Sequence, residues 1–392
     1  MSLRHLMRPY PIASAAALSL AGVVAAAGIA RAESRACTIE AFRALPDVRL
    51  VTAAMETGPV PHCKVEGVIG TETRFRLLLP KEWNGKFVMG GGGFVGVIFN
   101  TALPYGALEK GYATAGTDAG HKGHPLDGSW ALNNFERIVS FGHQAVHRTA
   151  VTAKALIADY YGRGIARSYF TGCSRGGGQA LMEAQRYPQD FDGIVAGAPA
   201  YNWTVELGAR NIRISQAMFP NPDDLSLATI TPQARRLIGE AVMARCDGLD
   251  GLEDRIINDP TACSFDVATL ACGPGEAKGC LSEAQVAAAK TIYDDLYING
   301  ERVFPGFPVG GELSPDGWAR WLAGGLDVAE GVADFPEVLA DAVENPDPAV
   351  PNGHFAVANS LMKYFVYNDP GWNYAGYSFD ILLPTPPPWR RA

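Results

Sequence analysis

The chain has 392 residues, of which 47% are hydrophobic and 19% are charged. This balance supports a large buried core and excludes a wholly disordered chain. The net charge of -8 argues against a basic nucleic-acid-binding face, so no nucleic-acid partner is expected.

The N-terminus has the pattern of a secretory signal. Two arginines precede an uncharged stretch over 12–30, and the small residues Ala30 and Ala32 come just before a cleavage point after Ala32. This predicts a signal peptide over 1–32. The alternative is an uncleaved membrane anchor, because the stretch is almost long enough to span a bilayer. Its Ala, Gly and Ser content favours cleavage, so we expect a secreted or periplasmic protein without membrane contact after cleavage.

The first half of the chain reads as an α/β sheet. Short apolar runs alternate with helical patterns between about 73 and 200, which is typical of a mostly parallel sheet covered by helices. A helix is predicted over 141–161, where apolar residues recur at 3.6-residue spacing. The predicted strands cover 74–79, 87–89, 112–116, 168–171 and 193–196.

The second half has a different pattern. Helices predicted over 232–245 and 282–297 are separated by loops rich in Gly, Pro and Asp, with no run of buried strands. We therefore expect an inserted or appended lobe over 201–380 beside the part of the α/β domain at 33–200. The Pro-rich tail over 381–392 is unlike a buried strand.

All seven cysteines follow the predicted cleavage point. In an exported protein, disulfide bonds are the default expectation for them. Zinc is the weaker alternative, because no Cys-x-x-Cys occurs and no histidine stands at ligand spacing from the later cysteines. Cys173 is expected to remain unpaired. The expected pairs, two closing short loops and one stapling the N-terminal segment, are Cys246–Cys263, Cys272–Cys280 and Cys37–Cys63.

The residues at 172–176, Gly-Cys-Ser-Arg-Gly, match the motif Gly-x-Ser-x-Gly. They stand between a predicted strand and a helix predicted over 177–187, the context of a nucleophile elbow. In such a turn Ser174 projects at the top of the sheet, beside a helix N-terminus that favours developing negative charge. Ser174 is therefore the predicted nucleophile. The alternative is a glycine-rich turn with an incidental serine.

Four glycines at 90–93 fit the same chemistry. Acyl transfer needs two N–H donors for the oxyanion: one from the residue after the nucleophile, here Arg175, and one commonly from a glycine-rich loop after an earlier strand. The alternative is a phosphate-cradling loop. The run lacks the Gly-Lys-Ser/Thr ending that such a loop requires.

An acidic loop lies between two cysteines in the second half. Four carboxylates, Asp247, Asp250, Glu253 and Asp254, would repel one another there unless a hard cation neutralised them. Calcium takes carboxylate and backbone oxygens, and the loop offers both. A solvated acidic turn is an equal alternative on residue types alone.

Together these motifs resemble the tannase and feruloyl esterase family over about 37–380. The resemblance also includes Trp83-Asn84-Gly85, the residues at 117–121, Gly197-Ala198-Pro199 and Asp369-Pro370-Gly371-Trp372. It implies an exported α/β-hydrolase with a large inserted lid. Such proteins hydrolyse esters of phenolic or aromatic acids, so the implied partner is a small aromatic ester and the implied enzyme a serine esterase.

The resemblance also implies site residues. Ser174 would be the nucleophile, and the oxyanion hole would combine the Arg175 amide with one from Gly91, Gly92 or Gly93. Arg255 departs from the family, which usually has a small residue at that position. The implied calcium ligands, three side chains and two backbone carbonyls, are Asp247, Asp250, Asp254, Leu252 and Ile256.

The resemblance stops near Asp380. The family's catalytic Asp and His lie beyond the lid, and a Cys beside that His bonds the Cys preceding the nucleophile. No His-Cys pair follows Ser174 here, and His354 is the only later histidine. We therefore expect a family member with an incomplete sheet and triad. The alternatives are a base at His354 oriented by Asp369 or Asp380, a calcium-stabilised protein that only binds aromatic ligands, and a non-functional remnant.

Family specificity depends on the lid, where the candidate aromatic contacts are Phe304, Trp318, Trp321 and Phe335.

Overall fold

The computed structural model describes residues 34–92, 96–123, 127–324 and 351–378, apart from the side chains at 315 and 316. The predicted division into an α/β domain and a lid stays a prediction. Several predicted features lie outside the described residues: the signal over 1–32, Gly93, Phe335, Asp380 and the tail over 381–392.

A seven-stranded sheet organises the first half of the described chain, in the order β1-β2-β3-β5-β4-β6-β7. The β1–β2–β3–β5 side is antiparallel, whereas β5, β4, β6 and β7 run parallel. The five predicted strands are all present, and the α/β fold is confirmed. The strands are β1 Val48–Glu56, β2 His62–Ile69, β3 Thr73–Pro80, β4 Lys86–Gly90, β5 Ala113–Thr117, β6 Arg167–Cys173 and β7 Gly193–Gly197.

Helices cover the sheet and build most of the second half. The apolar face of the helix predicted over 141–161 is buried on α2 (Ala145–Tyr161), from Val146 to Tyr161. It packs in one core with Phe75 and Phe87 of the sheet. Among the described residues, four π-helical stretches cover Ser140–Gln144, Trp203–Arg210, Pro315–Ala323 and Leu361–Val366. The α-helices of the same ranges are α1 Phe135–Val139, α2 Ala145–Tyr161, α3 Arg175–Arg186, α4 Asn211–Met218, α5 Pro232–Cys246, α6 Glu283–Tyr293 and α7 Gly353–Ser360.

The helix predicted over 282–297 is too long. It ends at Tyr293, and the following residues form a hairpin of β8 Leu296–Ile298 and β9 Glu301–Phe304. Asn299 and Gly300 both have positive φ, as the two-residue turn of a tight hairpin requires. The prediction overlooked this Asn-Gly signal.

The second half has its own hydrophobic core, which includes Ile212, Ile238, Ile292 and Met362. Its helices contribute the buried side chains, and the short hairpin adds little. The predicted disulfides are confirmed: Cys37–Cys63, Cys246–Cys263 and Cys272–Cys280. Cys173 is free and exposed, as expected.

Candidate active site

Ser174 lies in a sharp turn between the end of β6 and the start of α3. Its backbone has φ 56° and ψ -117°, an uncommon conformation for a residue other than glycine. The turn is fixed by neighbours: the Ser174 amide donates to the Gly197 carbonyl at 3.0 Å, and its carbonyl accepts from Ala200 at 2.9 Å. The Ser174 side chain is exposed. This is the strand–turn–helix geometry of a nucleophile elbow.

The glycine run after β4 packs directly against this turn. A Cβ on Gly176 would lie 2.8 Å from the carbonyl carbon and oxygen of Gly91 and 2.9 Å from the Gly92 nitrogen. The Gly91 amide donates to the Thr171 carbonyl at 2.8 Å, and the Gly92 amide donates to Gln179 Oε1 at 3.0 Å. Neither amide is therefore open to an oxyanion in this arrangement, and Gly93 lies outside the described residues.

The Arg175 side chain is held away from the solvent. Its guanidinium lies over the Phe141 ring at 4.4 Å and the Trp203 ring at 5.1 Å, and it donates to the Phe141 carbonyl. Burial lowers the pKa of Arg175 to about 10, so the side chain stays charged at neutral pH. The backbone amide is the first of α3, where no intrahelical acceptor exists. It differs in this from the Gly91 and Gly92 amides, which already donate hydrogen bonds.

Asp118 directly follows the carboxyl end of β5, the strand that pairs with β3 and β4. It accepts from Arg74 Nε at 2.6 Å and from the backbone amides of Arg74 and Gly120 at 3.0 and 2.9 Å. Burial raises its pKa to about 6, against the lowering effect of these hydrogen bonds. Arg74 also donates to the Gly96 carbonyl at 2.8 Å. The pair thus ties β3 and β5 to the residue that follows the glycine loop, a contact that sequence reasoning missed.

No described residue hydrogen-bonds the Ser174 hydroxyl. His354 is not oriented by Asp369: its Nδ1 has no hydrogen-bond partner, while Asp369 accepts from the Gly371 amide. The structure therefore gives no support to the His354–Asp369 alternative. The other described histidines pack or hydrogen-bond elsewhere, with His62 near Glu56, His121 on Trp130, His143 with Tyr187 and His147 with Asp190.

The acidic loop follows α5 directly. Its donor types suit calcium, and Asp247 Oδ1 is buried without a hydrogen-bond partner. Asp250 and Asp254 instead accept from the loop amides of Leu252 and Ile256, at 2.9 and 3.1 Å. Across the described ranges, no three His, Cys, Asp or Glu side chains gather as a metal site would require. The donor chemistry fits calcium, but the carboxylates do not converge.

Arg255, the residue that departs from the family at this loop, has φ 65°. Glycine, which has no Cβ, adopts that conformation more readily than arginine does. Its guanidinium pairs with Glu240 on α5 at 3.0 Å, so the side chain points back to the helix rather than into the loop.

The family model described as tannase and feruloyl esterase matches residues 58–354. The chain belongs to this family. The matched span includes the elbow, the glycine run and the acidic loop.

Its relatives in the tannase and feruloyl esterase family include a probable feruloyl esterase B-2 of Aspergillus terreus, 30% identical over 327 residues, which cover 81% of this chain and 54% of the relative. An uncharacterized esterase of Xanthomonas campestris is 32% identical over 329 residues, covering 81% of this chain and 52% of the relative. The crystal structure of feruloyl esterase B from Aspergillus oryzae superposes with a TM-score of 0.69 at 25% identity, covering 89% of this chain and 67% of that one. The chain thus spans about half the length of the relatives it matches.

Two further features of this family member concern its compartment. Its three disulfides are consistent with export into an oxidising compartment. Within the described ranges, no helix has both the length and the apolar character that a membrane crossing requires.

Proposed function

We propose that this protein is an exported serine esterase that hydrolyses esters of aromatic or phenolic acids, with Ser174 as the nucleophile. The observation that carries the proposal is the strained backbone of Ser174 at the carboxyl edge of the parallel strands. Strain of this kind is retained where it presents a reactive group. The names of the relatives, feruloyl esterases among them, support the substrate class.

The proposed chemistry is two-step acyl transfer. Ser174 attacks the ester carbonyl as a base takes its proton, the alcohol leaves with a proton, and water then releases the acid from the acyl-enzyme. The Arg175 amide stabilises the oxyanion. Gly92 would join it once its amide leaves Gln179, or Gly93 would supply the second donor.

Steady-state hydrolysis of methyl ferulate and methyl gallate tests the proposal. The full chain is expected to release acid, and Ser174→Ala is expected to abolish release. Ser226→Ala is the matched control, because Ser226 is an exposed loop serine. Release that persists at full rate in Ser174→Ala would exclude this nucleophile.

A second candidate function is binding of aromatic esters without turnover. It is favoured by the Ser174 hydroxyl having no hydrogen-bonded base among the described residues. Under this alternative, methyl ferulate binds measurably in calorimetry while no ferulate is released. Release that depends on Ser174 excludes it.

We also propose that calcium binds the acidic loop by drawing together the carboxylates of Asp247, Asp250 and Asp254 and the carbonyls of Leu252 and Ile256. The buried, unpartnered Asp247 Oδ1 supports this proposal. Calcium is expected to raise the melting temperature and EDTA to lower it, because a ligand that binds only the folded state stabilises it. Asp247→Asn should remove the difference. Equal melting temperatures with calcium and with EDTA would refute the site.

A further inference from the structure

Arg210, in the second half of the chain, has a buried guanidinium that finds no hydrogen-bond acceptor among the described residues. It ends the π-helical stretch Trp203–Arg210 and is 8% exposed. The nearby carboxylate of Glu206 lies 3.9 Å from it, an ion-pair distance too long for a hydrogen bond. No described residue accepts a hydrogen bond from this guanidinium, and its Nε is fully buried.

Two aromatic rings lie against the Arg210 guanidinium. The rings of Phe304 and Phe307 lie 4.3 and 4.2 Å from its central carbon. Contacts of this kind stabilise the positive charge but accept no N–H hydrogen bond in the plane of the group. Among the described residues, nothing accepts a hydrogen bond from these N–H groups, of which Nε is buried.

Two neighbouring side chains share this deficit. Glu206 Oε2 and His354 Nδ1 are both buried without partners. The His354 ring lies 5.4 Å from Trp321 and 5.9 Å from Phe307. Burial and then the charge of Arg210 lower the pKa of His354 to about 3, so this imidazole is neutral at working pH. A neutral imidazole offers one donor and one acceptor.

Buried polar groups are nearly always hydrogen-bonded in native proteins, so three unpartnered groups in one place indicate a missing ligand. The edge of a guanidinium matches a carboxylate, which accepts two parallel N–H hydrogen bonds. Surrounding aromatic rings favour a planar apolar body. We propose that Arg210 binds the carboxylate of a small aromatic acid, which packs against Phe304 and Trp321.

This site goes beyond the proposed function, because it recognises a free acid rather than an ester and needs no part of the elbow. The two sites are nevertheless linked by one helix. Trp203, the first residue of this helical stretch, contacts the Arg175 guanidinium, and Arg210 is the last residue of the same stretch. The separation along the axis is on the order of 10 Å.

Calorimetric titration in a Ser174→Ala background tests the site independently of hydrolysis. Ferulate and benzoate are expected to bind, and their neutral counterparts, methyl ferulate and benzyl alcohol, at least about tenfold more weakly at this site. Arg210→Met should weaken ferulate binding about tenfold or more. Arg213→Met is the matched control, because that guanidinium donates to the Asp295 carbonyl, and it should leave the affinity unchanged.

Glu206→Gln provides a second readout. It removes a negative charge beside the proposed anion and should tighten ferulate binding, an effect that a purely structural role would not produce. If Arg210→Met fails to fold by circular dichroism, Glu206→Gln decides alone: tighter binding supports the site and unchanged binding overturns it. Absence of acid binding at millimolar concentration, or equal loss in the Arg210 and Arg213 variants, would also overturn it and leave water as the partner of these groups.

Discussion

Gly176 packs against the carbonyl of Gly91 so closely that no side chain fits between them. A Cβ on Gly176 would lie 2.8 Å from that carbonyl, closer than real Cβ contacts permit. The turn that carries Ser174 and the glycine loop after β4 are therefore fixed against each other. Both sides of the contact are backbone, so neither can give way as a flexible side chain would.

Gly176→Ala is expected to destabilise the protein by about 1–3 kcal/mol, the usual cost of overpacking. It should also reduce ester hydrolysis by more than the loss of folded protein explains, because the turn and loop separate. Urea denaturation and hydrolysis of methyl ferulate measure the two effects. Gly142→Ala is the control, since a Cβ there has open space. Equal effects of the two substitutions would contradict this account of the packing.

Asp118→Asn is expected to cost about 1–3 kcal/mol, because the buried carboxylate is replaced and an amide N–H is placed facing Arg74. The free energy of unfolding in urea measures this. Glu66→Gln disrupts the more exposed ion pair with Arg76 and should cost less than about 1 kcal/mol. A cost for Asp118→Asn no larger than that of the control would show that the pair does not tie the strands together.

The stability of the protein is expected to depend on pH through Glu183. This residue lies on α3, the helix that follows Ser174, and is 1% exposed. Burial, and then the Asp190 carboxyl, raise the pKa of Glu183 to about 8 from its ordinary value of 4.5. The folded state therefore holds a proton that the unfolded state has lost between these values. The contribution of protonated Glu183 to stability is fully present below about pH 4.5. It is lost as pH rises towards about 8, by at most ~1.4 kcal/mol per pH unit.

Glu183→Gln should flatten this decline, because the amide does not ionise. Melting temperatures between pH 5 and pH 8, a range set by the two pKa values, measure the slope. Glu283→Gln, an exposed carboxyl on α6, should leave the slope unchanged. Asp118 has a pKa raised in the same direction, to about 6, so a residual slope at the acidic end is expected in the variant. An unchanged slope in Glu183→Gln would refute the prediction.

Cys173 is expected to be the one reactive thiol of the folded chain, since the other six cysteines are paired. An aromatic disulfide reagent should titrate one thiol per native molecule in wild type and none in Cys173→Ala. Two or more native thiols would mean that a predicted disulfide is not formed.

Structural features that depend on residues close together in the chain were predictable. The buried face of α2 follows from 3.6-residue spacing, and the turn at Ser174 follows from a strand, two glycines and a helix in immediate succession. Two of the three disulfides followed from short loops and an exported context, and the third followed from its place beside the N-terminal segment. Two further features were predictable from local patterns but were not predicted. They are the alternation of buried residues from Cys63 to Ile69 and the turn at Asn299-Gly300.

Features that depend on distant residues were not predictable. Arg175 meets Phe141 and Trp203 only because the sheet brings α3 beside other elements. The surroundings of Arg210 likewise combine residues far apart in the chain, and no spacing rule joins Arg210 to His354. Trp318 was a candidate substrate contact, but it is 3% exposed and packs against Tyr293 in the core. Aromatic residue type alone did not separate a core side chain from a binding one.

The most direct test of the central claim locates a covalent adduct. A fluorophosphonate reacts with an activated serine, and peptide mass spectrometry then identifies the modified residue. The account predicts one adduct, on Ser174, which is lost in Ser174→Ala and reduced when methyl ferulate is present. A chain that releases ferulate while its adduct lies on another residue, or while Ser174 stays unmodified, would contradict it.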